Sequence, residues 1–199
     1  MKMTIYILVL VIIGIFSGYF FLGNEVNNLD IYISVILNIT IFSVGITLGL
    51  NKKIFKELKK TGKNLLLLPI GTIIGSLLGG LVTGILINHS LSLSLAIASG
   101  FGWYSISAVI LTENAGVEIG SIAFITNVIR EMMAFLFIPI VAKKLTPYTA
   151  ICIGGATTMD TTLPLITKST NEKYALVSFI HGGVLSFLVP VLVPFFASI

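Results

Sequence analysis

An all-α, polytopic membrane protein with two interrupted helices is the fold class this sequence predicts, and three observations predict it. Of 199 residues, 56% are hydrophobic and only 10% are charged, against roughly 25% charged in soluble domains. The apolar residues gather in seven runs joined by short polar connections, at 4–22, 30–50, 64–87, 91–112, 117–143, 148–166 and 174–198. A helix needs about 20 such residues to cross a bilayer, so seven runs leave no room for a water-soluble catalytic domain, and 1–199 reads as one integral-membrane domain. The third observation is that runs 91–112 and 148–166 are broken by Gly, Ser, Thr and Asp, which predicts broken or re-entrant segments.

Taken in order, run 4–22 is too long for a signal-peptide core and no small-x-small cleavage site follows it, so it is expected to be retained. Run 30–50 opens at Asp30 after Asn27 and Asn28. Six lysines then fall within 51–63, which accounts for the formal charge of +4 as a cytoplasmic loop rather than a nucleic-acid surface. Run 64–87 carries Gly71, Gly75, Gly79, Gly80 and Gly84, mostly on one helix face, which predicts a close helix–helix contact. Runs 91–112 and 148–166 contain SGFGWYS (99–105) and GGATTMDTTLP (154–164). Backbone groups freed at such breaks are tolerated only where protein or a wet cavity satisfies them. Paired broken segments point to a transporter binding site.

Loop charge sets the expected topology. A cytoplasmic 51–63 loop puts the N-terminus inside the cell and the acidic 23–30 loop outside. If run 91–112 dips in and returns to the same side, Lys143 and Lys144 also fall inside, run 148–166 re-enters from the cytoplasm, and the C-terminus is external. Two lysines favour this over full crossing by both broken segments.

Several residues are of types that carry chemistry. In NVIRE, Asn127 and Glu131 are four apart and share a helix face, with Arg130 beside them. Charges at membrane depth normally face the bundle interior and mark ion or substrate paths, although Arg130 and Glu131 can also form a structural pair. Asp160 lies in the second break, where it can exchange a proton, hold a cation, or cap the next half-helix. Thr157, Thr158 and Thr161 offer hydroxyls beside it. Ser99, Gly100, Trp103, Tyr104 and Ser105 form the first break, and Trp103 and Tyr104 suit interfacial anchoring or a cation–π contact. These twelve positions are the candidate solute-binding set. Glu131, Asp160 and His181 are the candidate ion-coupling set, with His181 equally suited to hydrogen-bonded packing. The single Cys152, and the wide separation of His89 from His181, call for no disulfide, metal or cofactor.

ASGFGWYSISAVILTENAG (98–116), NVIRE, GGATTMDTTLP and HGGVLSFLVPVLVPFF (181–196) together resemble the LysO-type lysine exporter family of bacterial inner membranes, and FSVGITLGL (42–50) extends the match more loosely. The resemblance implies half-helix antiporter architecture and export of L-lysine and its analogues, coupled to proton or sodium movement. It carries the family's intramembrane acid onto Glu131 and its motif onto Gly154, Gly155, Ala156, Thr157, Met159 and Asp160. Fuller-length members have a further N-terminal region with extra spans and another membrane acid, so a small membrane partner or a homodimer is expected to supply that part here. Asp160 and Glu131 then face ammonium groups or the coupling cation, while Arg130 or half-helix N–H groups hold the carboxylate. Two rivals are weighed. An intramembrane aspartyl protease needs two catalytic aspartates in a GxGD-type setting, whereas Asp30 and Asp160 are the only aspartates and neither lies in one. A non-transporting subunit, or half a transporter, is the stronger alternative.

Overall fold

A computed structural model of the chain describes residues 9, 13–14, 16–22, 35, 66–171 and 173–199. About half of run 4–22, nearly all of run 30–50 and the whole 51–63 lysine loop therefore lie outside the described residues. Two compact units are distinguished, Met1–Leu50 and Asn51–Ile199. In the first, a short π-helix spans Gly18–Leu22, and the Phe16 and Phe20 rings stack at 5.8 Å.

The described part of the second unit is helical throughout. Three of its helices are long and apolar enough to cross a membrane: α1 (Leu67–Leu86), α4 (Val117–Lys144) and α7 (Lys173–Ala197). With 28 residues, α4 reaches about 42 Å at the usual rise, more than the roughly 30 Å hydrocarbon core. Its last turn carries Lys143 and Lys144, favourably placed against the carbonyl end of the helix dipole. Pro139 in α4, and Pro190 and Pro194 in α7, sit inside helices. Membrane helices tolerate this where neighbouring groups take up the freed carbonyls.

The remaining helices are too short to cross alone. Run 91–112 forms α2 (Leu91–Ala98) and α3 (Tyr104–Ala115), separated by an irregular stretch. Run 148–166 forms α5 (Pro147–Gly154), a 3-10 turn at Gly155–Met159 and α6 (Leu163–Ser169). Thr146 starts α5 by accepting the Thr149 N–H at 3.2 Å, with Pro147 in the first turn where its missing N–H costs nothing. Helix α7 packs against α1, α2, α3, α5, α6 and the 3-10 turn, so it lies at the centre of this unit. One apolar core joins Ala134 and Ile138 of α4, Ala150 and Ile151 of α5, and Ile166 of α6.

Two of the glycines of α1 make the expected close helix–helix contact. A Cβ at Gly80 would sit 2.6 Å from the Ala98 Cβ, and one at Gly84 would sit 2.7 Å from the Ser94 Oγ, so these two form the contact with α2. At Gly71, Gly75 and Gly79 a Cβ would meet nothing within 4 Å among the described residues. These three line a cavity, as does Gly80.

Candidate functional site

The two interruptions meet. Phe101 has φ 48° and Gly102 φ 94°, a left-handed pair that turns the chain between α2 and α3. For a phenylalanine this conformation costs about 1–3 kcal/mol, and it is held by packing, since Phe101 is fully buried. Its carbonyl accepts the Ala156 N–H of the second break at 2.9 Å. Gly155, at φ 62°, passes so close to that carbonyl that a Cβ would overlap the oxygen. On the other side, Gly182 of α7 lies against Ala156 and Met159 with no room for a side chain.

Asn127 ties the first break to α4. Its Oδ1 accepts the Gly102 N–H at 2.8 Å, while Nδ2 donates to the Ala123 carbonyl at 3.0 Å and shares the Ile97 carbonyl and the Ser107 hydroxyl at 3.3 Å. It is 1% exposed, and its amide is committed inside the protein. Replacing Asn127 by Ala would strand the Gly102 N–H. We expect a loss of about 1–3 kcal/mol, measurable as a lowered unfolding midpoint in detergent, with Asn127→Asp recovering part of it.

Hydroxyls at the breaks divide in the same way. Ser99 is fully buried and donates to the Ala96 carbonyl at 2.7 Å. Gly100 packs against Asn127 and Ser107. Thr157 bonds the Gly154 carbonyl at 2.7 Å and the Thr162 hydroxyl at 3.1 Å. Thr158 lies 2.9 Å from the Gly155 and Ser178 carbonyls and 3.0 Å from His181 Nδ1. The His181 Nε2 lies 2.9 Å from the Thr72 hydroxyl, so this buried histidine links α7, α1 and the 3-10 turn. One arrangement satisfies the set: Nδ1–H donates to Thr158, and Nε2 accepts from Thr72.

The candidate charged residues fall on two sides. Glu131 is 5% exposed and accepts the Thr161 hydroxyl at 2.6 Å, a length typical of a charge-assisted bond. Asp160 follows the 3-10 turn, is exposed, and accepts the Thr161 N–H. It does not cap α6, whose N-cap is Thr162. Glu131 and Asp160 lie close enough for their charges to interact, and Tyr104, packed edge-on against Phe124 at 5.4 Å, is within reach of both. Trp103 and Ser105 are partly buried beside it.

Arg130 turns away from Glu131 rather than pairing with it. Its guanidinium donates to the Ser76 hydroxyl at 2.6 Å and approaches the Ala98 carbonyl at 3.5 Å. It borders a cavity of about 620 Å³ between α1, α2, α4 and α5, and neither carboxylate lines that space. Sequence reasoning missed Thr72 and Ser76 here. The available signal was their spacing of four, in register with the open glycines of α1.

A family model described as lysine exporter LysO matches residues 8–197. The lysine exporter LysO of Escherichia coli (strain K12) is 33% identical over 162 residues, covering 81% of this chain and 54% of that protein. A protein of Haemophilus influenzae (strain ATCC 51907 / DSM 11121 / KW20 / Rd) named "Putative lysine exporter" is 37% identical over 190 residues, covering 94% of this chain and 95% of that protein. The chain thus spans about half the length of the first relative and nearly all of the second. No solved structure matches.

Proposed function

The chain belongs to the lysine exporter LysO family, and from that premise we propose that it is a cation-coupled secondary transporter. Its cargo in this reading is L-lysine and lysine analogues, moved out across the bacterial inner membrane. The observation that carries the reading is the meeting of two helix breaks beside a pair of carboxylates: Ala156 bonds Phe101, while Glu131 and Asp160 both bond Thr161. Half-helices that meet within a bundle are where transporters of this general design bind solute and ion.

In the proposed cycle, Glu131 and Asp160 hold an ammonium group of lysine when the site faces the cytoplasm. Inward entry of a proton or sodium ion neutralises or occupies an acid, lowers its affinity for the ammonium group, and releases lysine outside. Coupling needs only that ion and solute prefer the two facing states differently. Thr161 positions both acids. His181, bonded to α1 and the 3-10 turn at once, is placed to sense their relative movement. The reading takes the N-terminus as cytoplasmic, the C-terminus as external, and the two broken segments as entering from opposite faces.

Lysine efflux from loaded vesicles under imposed proton and sodium gradients tests this. Efflux is expected to rise with one inward gradient and collapse when it is dissipated. Efflux that appears only with a co-reconstituted small membrane protein would make the chain half of a transporter, and none in either arrangement would leave it a non-transporting subunit.

A further inference from the structure

We infer that the cavity beside α1 receives the carboxylate end of the exported amino acid, and that Arg130 makes a carboxylate group a requirement for export. This rests on the export reading above and adds a demand on the solute that the reading does not contain.

The cavity, of about 620 Å³, falls within the size range of small-molecule sites. Gly71, Gly75, Gly79 and Gly80 border it on the α1 side, the first three with no described neighbour where a Cβ would sit, while Gly80 and Gly84 pack against α2. Among the described residues, Arg130 is the one of fixed charge on its lining. An arginine at membrane depth normally faces the bundle interior or a wet cavity and pairs with an acid or a backbone carbonyl; its contacts here, Ser76 and the Ala98 carbonyl, are both neutral and leave its charge unmatched among the described residues. A guanidinium has five N–H donors. Among the described residues two acceptors, Ser76 and Ala98, meet this group where it lines the cavity, fewer than its donors.

Other N–H groups at the breaks, of the kind that bind a carboxylate, are largely taken. Those of Gly102, Ala156, Asp160, Thr161 and Thr162 each bond a group within the protein. A carboxylate suits the guanidinium because two parallel N–H···O bonds match its geometry. Among the described residues no carboxylate lines this cavity, Glu131 and Asp160 included, so those residues offer an ammonium group no counter-charge there.

The experiment uses two solutes that share both ends of the lysine chain except the carboxylate: lysine and its decarboxylated diamine, cadaverine. Wild-type vesicles loaded with each are expected to export cadaverine at least about tenfold more slowly. Arg130→Gln is expected to lower lysine export much more than cadaverine export, so that the preference for lysine is lost. Cys152, the chain's single cysteine, lines the same cavity and gives a reading on unmodified protein. Lysine is expected to slow its reaction with a small thiol reagent, and cadaverine is not. Equal wild-type export of both solutes overturns the inference and leaves the export reading standing. So does a lysine preference retained in Arg130→Gln. Cys152 that is unreactive, or protected by inorganic phosphate or anionic lipid but not by lysine, shows another occupant and also overturns it. Absence of lysine export by the wild type under any gradient removes the export reading and this inference with it.

Discussion

Replacing Glu131 by Gln is expected to cut lysine efflux by about 10- to 150-fold, the loss that corresponds to about 1.5–3 kcal/mol for a hydrogen bond to a charged group. Gln has the size of Glu and can still accept from the Thr161 hydroxyl, now 2.6 Å from Glu131, so packing is retained while the charge is removed. Asp160→Asn is expected to act in the same direction. Both acids bond Thr161 and lie within electrostatic reach of each other, so they should behave as one unit. The double variant should therefore be little worse than the weaker single variant, because residues acting together lose their effect once rather than twice. Initial efflux rates per reconstituted protein give the answer. Full export by both single variants would remove the proposed chemistry, and multiplicative losses would place the acids in separate steps.

The second large effect is expected at Gly155. Its φ of 62° lies in the left-handed region, which costs an L-residue with a Cβ about 1–2 kcal/mol. The added Cβ would also overlap the Phe101 carbonyl oxygen, which cannot withdraw without losing its bond from Ala156 N–H at 2.9 Å. Together these should destabilise Gly155→Ala by about 3 kcal/mol or more, above the range of ordinary substitutions. Export should fall with it, since the two breaks would be forced apart. Gly71→Ala is the matched comparison. It lies in a helix where Ala is favoured, and its Cβ would meet nothing within 4 Å among the described residues, so stability should change by less than about 1 kcal/mol. Unfolding midpoints of the two variants in the same detergent separate the cases. Equal midpoints would mean that the close approach at Gly155 does not hold the breaks together.

Much of the site was legible before any fold was known. Low charge and long apolar runs identified a membrane bundle, and SGFGWYS and GGATTMDTTLP marked where helical bonding lapses. The charged residues deep in apolar runs, Arg130, Glu131 and Asp160, stood out for the same reason. The division of labour among them was not legible. Asn127 and Glu131 share a helix face, yet Asn127 is committed to the first break and Glu131 to Thr161 of the second. Arg130 adjoins Glu131 in sequence and bonds Ser76, which is 54 positions away. The glycines of α1 looked alike, yet among the described residues only Gly80 and Gly84 meet a close neighbour, on α2.

By itself, the sequence determined the solvent of this protein and the points at which its helices break. Both follow from local causes: the cost of polar groups in hydrocarbon, and the lapse of i to i−4 bonding around glycine, hydroxyl and aspartate residues. Only the tertiary structure decided that the two breaks bond each other, that the acids gather around Thr161, and that the arginine opens onto a separate cavity. Each of those outcomes depends on which donor meets which acceptor across tens of residues, and that pairing is set by how the short helices α2, α3, α5 and α6 pack against both α4 and α7 rather than by any stretch read alone.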